Sequence, residues 1–322
     1  HMHSERAIPV LEDFLQGDHS VELKEKALFV LSQSGSPRAR EILVSVAKGQ
    51  QHPELAMKAI EYLGLEGSDD AGRDLQEIYS ASTSQAVKAK ALEGLMLGDH
   101  DEAVLAAAKG ESDPELRGKA VEMLGIMDAR EELAQLYRTE SEFEVKAKIL
   151  EGLFIADDAA TLAELARSEP NPDLRRKAIE GLGLVDSQES RQVLESLYQT
   201  ETDTKTRAKI LEAFFLMDDA ETLGRVAREE QDPELRAKAI EGLGLVSTRE
   251  SGETLKALYS TETDRRIKVS ILQAFMLQEN AEALIEIVRS EEDRELRKQA
   301  LQYLSFIDSD EAMDFLLTAL ED

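Results

Sequence analysis

The chain has 322 residues, with 66 acidic against 38 basic side chains, a net charge of −28 and no cysteine. A field of that sign repels phosphate backbones and anionic lipid, which argues against a nucleic-acid partner, and disulfide or thiolate chemistry is ruled out. No apolar run approaches the roughly 18 residues of a membrane span, so no membrane insertion is expected. His1-Met2 reads as a cloning remnant and residues 1–3 as disordered, which leaves the natural N-terminus and the compartment open.

Residues 4–15 predict a first helix that carries Pro9 near its start or at a kink and has no partner before it. It is expected to be a cap or half of a truncated unit, spanning residues 4–20 with its loop. From residue 21 the chain repeats itself about every 30 residues. Pairs of amphipathic helices are predicted over 21–48, 53–79, 84–109, 113–137, 142–167, 172–198, 203–228, 233–259, 264–289 and 293–320. The breaks between them are short and hold Gly, Asp, Ser and Pro, so a single elongated domain over residues 4–322 is the simplest organisation.

The first helix of each pair carries one phrase. From Asp113 it reads D-P-E-L-R-G-K-A-V-E-M-L-G-I. At 100° per residue Leu116, Ala120, Val121 and Leu124 fall on one arc and Glu115, Gly118, Lys119 and Glu122 on the other. Asp113 is placed to cap the helix and Pro114 to occupy its first position. Two helices of this length cannot bury their stripes alone, so the pairs must stack. A longer period is also visible. Pro53, Pro114, Pro172 and Pro233 are spaced by 61, 58 and 61 residues, or two pairs. Gly64, Met96, Gly125, Phe154, Gly183, Phe215, Gly244, Met276 and Ser305 share one column in which large and small residues alternate, and a large side chain of one layer is expected to lie over a glycine of the next.

The phrase, with its D-P-x-[LV]-[RK]-x-K-A-[ILV]-x-x-L-G pattern, resembles the HEAT-repeat family, most of all the short repeats named after phycobilisome lyases. The resemblance covers residues 21–320. It implies an all-α fold, an α-solenoid coiled as a right-handed superhelix of ten HEAT-like hairpins, with the phrase helix on the concave face. It also implies a ladder between the Asp and the Arg of the phrase. The basic column would hold Lys24, Lys88, Arg117, Lys146, Arg175, Arg207, Arg236, Lys268 and Arg297, with Ala56 breaking it. Members include scaffolds, adaptors and lyases acting on bilins, so membership does not by itself give a function.

Two sets of residues stand out as candidate partner-binding groups. The Lys-x-x-Glu column places Lys119 and Glu122, Lys148 and Glu151, Lys177 and Glu180, and Lys209 and Glu212 on the wet side of consecutive phrase helices. It reads as a row of surface ion pairs or as a mixed-charge track for a polypeptide. Phe29 stands where other copies have this Glu, and Met57 falls at the outward position of the next copy, so the two read either as an exposed apolar anchor at the N-terminal end or as a patch covered by the first helix or by residues before it. Met313, Phe315, Leu316, Leu317 and Leu320 give the last helix more apolar stripe than one neighbour covers, which points to a further element or to self-association through the ends.

Catalytic chemistry finds no support in the residues. None of His1, His3, His19, His52 and His100 has a second histidine three or four positions away, and no H-E-x-x-H, G-x-S-x-G or phosphate-binding loop occurs. No catalytic residue, metal ligand or cofactor is assigned. The expected function is a non-catalytic scaffold or adaptor that binds a protein or peptide on its concave face. The alternative is a lyase-like protein acting on a bilin or another small molecule.

Overall fold

The computed structural model describes the backbone of residues 2–49 and 52–319 and the side chains of residues 7–49 and 52–318. Among them every regular element is helical. The chain packs into two compact units, residues 1–158 and 159–322. The first holds α1 (Met2–Gln16), α2 (Val21–Ser32), α3 (Pro37–Lys48), α4 (Pro53–Glu66), α5 (Asp69–Ala81), α6 (Gln85–Leu97), α7 (Asp101–Gly110), α8 (Pro114–Ile126), α9 (Arg130–Thr139) and α10 (Phe143–Ile155). The second holds α11 (Ala159–Ser168), α12 (Pro172–Val185), α13 (Gln188–Thr200), α14 (Thr204–Leu216), α15 (Ala220–Glu229), α16 (Pro233–Val246), α17 (Arg249–Thr261), α18 (Arg265–Leu277), α19 (Ala281–Ser290), α20 (Arg294–Leu304) and α21 (Asp310–Ala319). A lone helix is thus followed by ten helix pairs in chain order, an α-solenoid pattern. Pro9 lies in the middle of α1 rather than at its start, and the backbone of Met2 and His3 is part of that helix. His1 and Leu320 lie outside the described residues.

The boundaries follow from local chemistry. Asp113 accepts hydrogen bonds from the N–H groups of Glu115 and Leu116, which have no partner inside α8, and Pro114 needs none. At the other end Met127 N–H donates to Met123, Asp128 N–H to Gly125 and Ala129 N–H to Leu124. This closure requires Asp128 to adopt φ 59°, in the left-handed region. The same closure recurs at Asp99, Asp157, Asp218 and Glu279, and a left-handed residue also ends the first helix at Asp186 and Ser247 and, in the first two pairs, at Gly35 and Gly67. Short polar side chains such as Asp tolerate this region better than most. In the fourth pair the stripe residues Leu116, Ala120, Val121 and Leu124 are buried together with Leu133 and Leu136 of α9.

The packing of the glycine column differs from the expectation. A β-carbon added to Gly64 would lie 2.6 Å from the Cα of Gly94, not against Met96. Gly125 meets Gly152, Gly183 meets Ala213 and Gly244 meets Ala274 in the same manner, with Cα approaches of 2.8 Å. The small residue two positions before each large one is what faces the glycine. The column therefore permits backbone-to-backbone contact between neighbouring first helices rather than interdigitation of large with small.

Candidate functional site

The polar side of the first helices is organised by ion pairs. In the first unit Lys58 pairs with Glu61 at 3.2 Å, Lys90 with Glu93 at 3.0 Å and Lys148 with Glu151 at 2.6 Å. The pairing also steps between layers, since Lys119 reaches Glu93 at 3.3 Å. In the second unit Lys209 lies 3.1 Å from both Glu180 and Glu212, and Lys238 lies 3.2 Å from both Glu212 and Glu241. Burial opposes the Lys209 ammonium, yet its hydrogen bonds to Glu212 and Glu180 outweigh that and raise its pKa above the ordinary value. A hydrogen bond from its ammonium to Glu151 raises that of Lys148, with a smaller contribution from the charge of Glu122. Lys177 is half-buried on α12 in the same column. These groups are largely spent on each other, so the track is a nearly neutral strip and not a row of free charges.

Phe29 stands on α2 with 52 % of its surface exposed and meets the edge of Tyr62 at a centroid distance of 6.1 Å. Met57 is half-buried on α4. At the other end Met313 and Leu317 are exposed, while Phe315 is half-buried beneath the Arg289 guanidinium, 5.3 Å from its ring centre.

The structure adds a feature that the sequence reading missed. The residue after the glycine column is apolar and exposed in layer after layer. In the first unit it is Leu65, Leu97, Ile126 and Ile155; in the second it is Leu184, Leu216, Leu245, Leu277 and Phe306. Exposure runs from 37 % at Leu277 to 64 % at Phe306. Ile126 follows Glu122 by four positions and Lys119 by seven, so all three share one helix face. That spacing was the available signal; an apolar residue at a helix end reads too easily as core. Exposed acids of the left-handed turns, Asp99, Asp128 and Asp157 in the first unit and Asp186, Asp218 and Glu279 in the second, flank the apolar column two residues further on.

The basic column also has different partners from those the resemblance implied. The Asp of the phrase caps its own helix, as Asp113, Asp232 and Asp293 do. The partner is instead a glutamate that follows the second helix. Lys88 pairs with Glu111 at 2.8 Å, Arg117 with Glu140 at 3.4 Å, Arg175 with Glu201 at 3.0 Å, Arg207 with Glu230 at 2.5 Å and Lys268 with Glu291 at 3.0 Å. Arg236 pairs with Glu262 in the same way. In alternate layers a tyrosine of the preceding pair joins in. The hydroxyls of Tyr79, Tyr198 and Tyr259 donate to Glu111, Glu230 and Glu291 at 2.6, 2.7 and 2.6 Å, and the cation lies over the tyrosine ring. Hydrogen bonds from Lys88 and Tyr79 lower the Glu111 pKa to about 2. Burial pushes Glu291 up, but its bonds from Tyr259, the Asp293 backbone and Lys268 bring it to about 2 as well.

Among the described residues no group of three or more His, Asp or Glu is arranged to hold a metal ion, and no helix is long and apolar enough to cross a membrane.

Stacked two-helix layers joined by short turns, with a periodic polar ladder, define an α-solenoid repeat protein. The model for HEAT repeats matches residues 8–96 and 131–215, and the chain belongs to the HEAT-repeat family. No curated protein sequence matches it. Among solved structures, a Kap121p mutant is 12 % identical with a TM-score of 0.52, over 99 % of this chain and 42 % of that one. Kap95p, in a structure concerned with its binding to RanGDP, is 13 % identical with a TM-score of 0.50, over 97 % and 51 %. The CpcE–CpcF complex of phycocyanin lyase from Nostoc sp. is 16 % identical with a TM-score of 0.35, over 68 % and 94 %. Likeness at these identities concerns the fold alone.

Proposed function

We propose that this protein is a non-catalytic scaffold that holds a protein segment along the face of its first helices. The observation that carries the reading is the exposed apolar column, in four consecutive layers of the first unit and five of the second. Isolated exposed apolar residues are ordinary on a protein surface, but a contiguous row of them marks an interaction surface. The Lys–Glu strip beside it supplies polar rim contacts of little net charge, and the turn acids on its other side favour a segment with basic residues flanking its apolar ones. The concave position that the HEAT-repeat resemblance implies for the first helices supports this reading.

The test uses the intact chain as bait with a photoreactive group at Ile126, beside a Leu97→Asp/Ile126→Asp variant. Both residues are solvent-exposed, so the variant is expected to fold as the parent does. The expected result is a partner crosslinked at Ile126 and lost at least tenfold in the variant, while Gln76→Glu on the exposed side of α5 retains it. A partner held equally by the variant would refute the face.

A further inference from the structure

We infer that an apolar slot in the second helix pair receives one uncharged aliphatic or aromatic side chain from the protein segment bound along the first-helix face. The inference rests on the reading above for the source of that segment. In the third and fourth pairs the corresponding cavities, between the end of the second helix and the start of the first, are lined by the base–acid pairs Lys88–Glu111 and Arg117–Glu140. In the second pair both members are replaced at once. Ala56 stands in the basic column of α4, and Ser82 stands at the residue following α5, where Glu140 follows α9. Loss of one member alone would leave a desolvated charge without its partner; joint loss leaves an uncharged hole.

The hole is a cavity of about 450 Å³ walled by Ala47, Pro53, Ala56, Met57, Ile78 and Val87. That lies within the roughly 300–1,000 Å³ of ligand-sized pockets. Among the described residues no carboxylate lines it, so a cationic side chain would be desolvated without a counter-charge. The one charged lining residue among those described, Lys48, is already paired with Glu77 at 2.7 Å, which removes the attraction for an anion. What remains is apolar wall, with an adaptable methionine and the hydroxyls of Ser82 and Ser84 at one end. Met57 occupies the helix position that Gly118 holds in α8, one residue before the Lys of the charged strip, so the cavity adjoins the proposed face. The place lacks the charged side chains that line it in the third and fourth pairs, and its walls select an uncharged occupant.

The probes are N-acetyl-phenylalanine amide, N-acetyl-leucine amide and N-acetyl-arginine amide, titrated into the full chain and followed by amide chemical shifts at Met57, Ile78 and Val87. The phenylalanine and leucine amides are expected to shift these signals and the arginine amide to leave them in place. The A56R/S82E variant recreates the pair of the fourth layer; it should melt no lower than the parent and bind the two apolar amides at least tenfold more weakly. Ala56→Met, which fills the slot without a charge, should show the same loss. Shifts that persist in both variants, the absence of any shift in the parent, or a preference for the arginine amide would overturn the proposal. So would a small molecule that co-purifies in the cavity. Leu97→Asp/Ile126→Asp should leave the amide shifts intact, so failure of the face and failure of the slot appear in separate readouts.

Discussion

Two kinds of junction alternate between neighbouring first helices. In the first unit α4 meets α6, and α8 meets α10, more closely than α6 meets α8. The close junctions are those with glycine on one side and a glycine Cα on the other, Gly64 to Gly94 and Gly125 to Gly152. At the wider junction α6 and α8 are bridged by side chains, with Lys119 reaching Glu93. The second unit repeats the alternation. Its α12–α14 and α16–α18 contacts are close, through Gly183–Ala213 and Gly244–Ala274, and α14–α16 is wider. The tyrosine–base–glutamate clusters sit at these same close junctions, at the opposite end of the layer: Tyr79 with Lys88, Tyr198 with Arg207, Tyr259 with Lys268. The physical repeat is thus a pair of helix pairs clamped at both ends, which accounts for the doubled spacing of Pro53, Pro114, Pro172 and Pro233.

The comparison breaks most visibly at the glycine clamp. A β-carbon on Gly183 would lie 2.7 Å from that of Ala213 and 2.8 Å from its Cα, both part of a helix that cannot yield locally. Gly183→Leu should therefore cost about 3 kcal/mol, at the upper end of overpacking effects. Thermal or urea unfolding measures it. An unchanged midpoint would mean that α12 and α14 can separate freely and that the close junction is not a clamp.

The other clamp should give a smaller effect. Tyr198→Phe keeps the ring under Arg207 but removes the hydrogen bond to Glu230, a charged acceptor, at a cost of about 1–2 kcal/mol after allowing for partial exposure. Its protonation behaviour offers a second handle. Glu111 and Glu291 have pKa values of about 2 in the folded chain against an ordinary 4.5. A depressed carboxylate contributes stability that is fully present above its unfolded pKa and is lost as pH falls through the folded one. The urea midpoint should accordingly fall between pH 5 and about pH 2, and Glu111→Gln or Glu291→Gln should flatten that dependence. A parent whose midpoint does not change over that range would contradict the clamp.

The fold was legible because the evidence for it is written in every layer. Asp113, Pro114, Leu116, Ala120 and Leu124 state cap, start and stripe within a dozen residues, and the copies repeat the statement. What depends on contact between layers was not legible. The glycine column showed alternation, but only the backbone distance shows that Gly64 meets Gly94 and not Met96. The glutamates that pair with the basic column lie in the connecting turns, 23 residues after Lys88 and Lys268, where a helical period gives no guidance. Ala56 was visible as a break. The matching break at Ser82 had no meaning until Glu140 was seen to pair with Arg117.

The finest test of the junctions compares two glycines on one helix. Gly125 and Gly118 both lie on α8 and both look toward α10. A β-carbon on Gly125 meets the Gly152 backbone at 2.8 Å, whereas one on Gly118 meets nothing nearer than the Cγ of Lys148 at 3.3 Å. The Lys148 side chain is half exposed and can move by the few tenths of an ångström required. A glycine inside a helix costs roughly 0.5–1 kcal/mol relative to alanine, so Gly118→Ala should raise stability by about that amount while Gly125→Ala lowers it. Opposite shifts of the melting temperature would locate the clamp at the carboxyl-terminal end of α8. A loss in both variants would mean that the α8–α10 contact is rigid along its whole length, including the stretch that carries Lys119 and the proposed face.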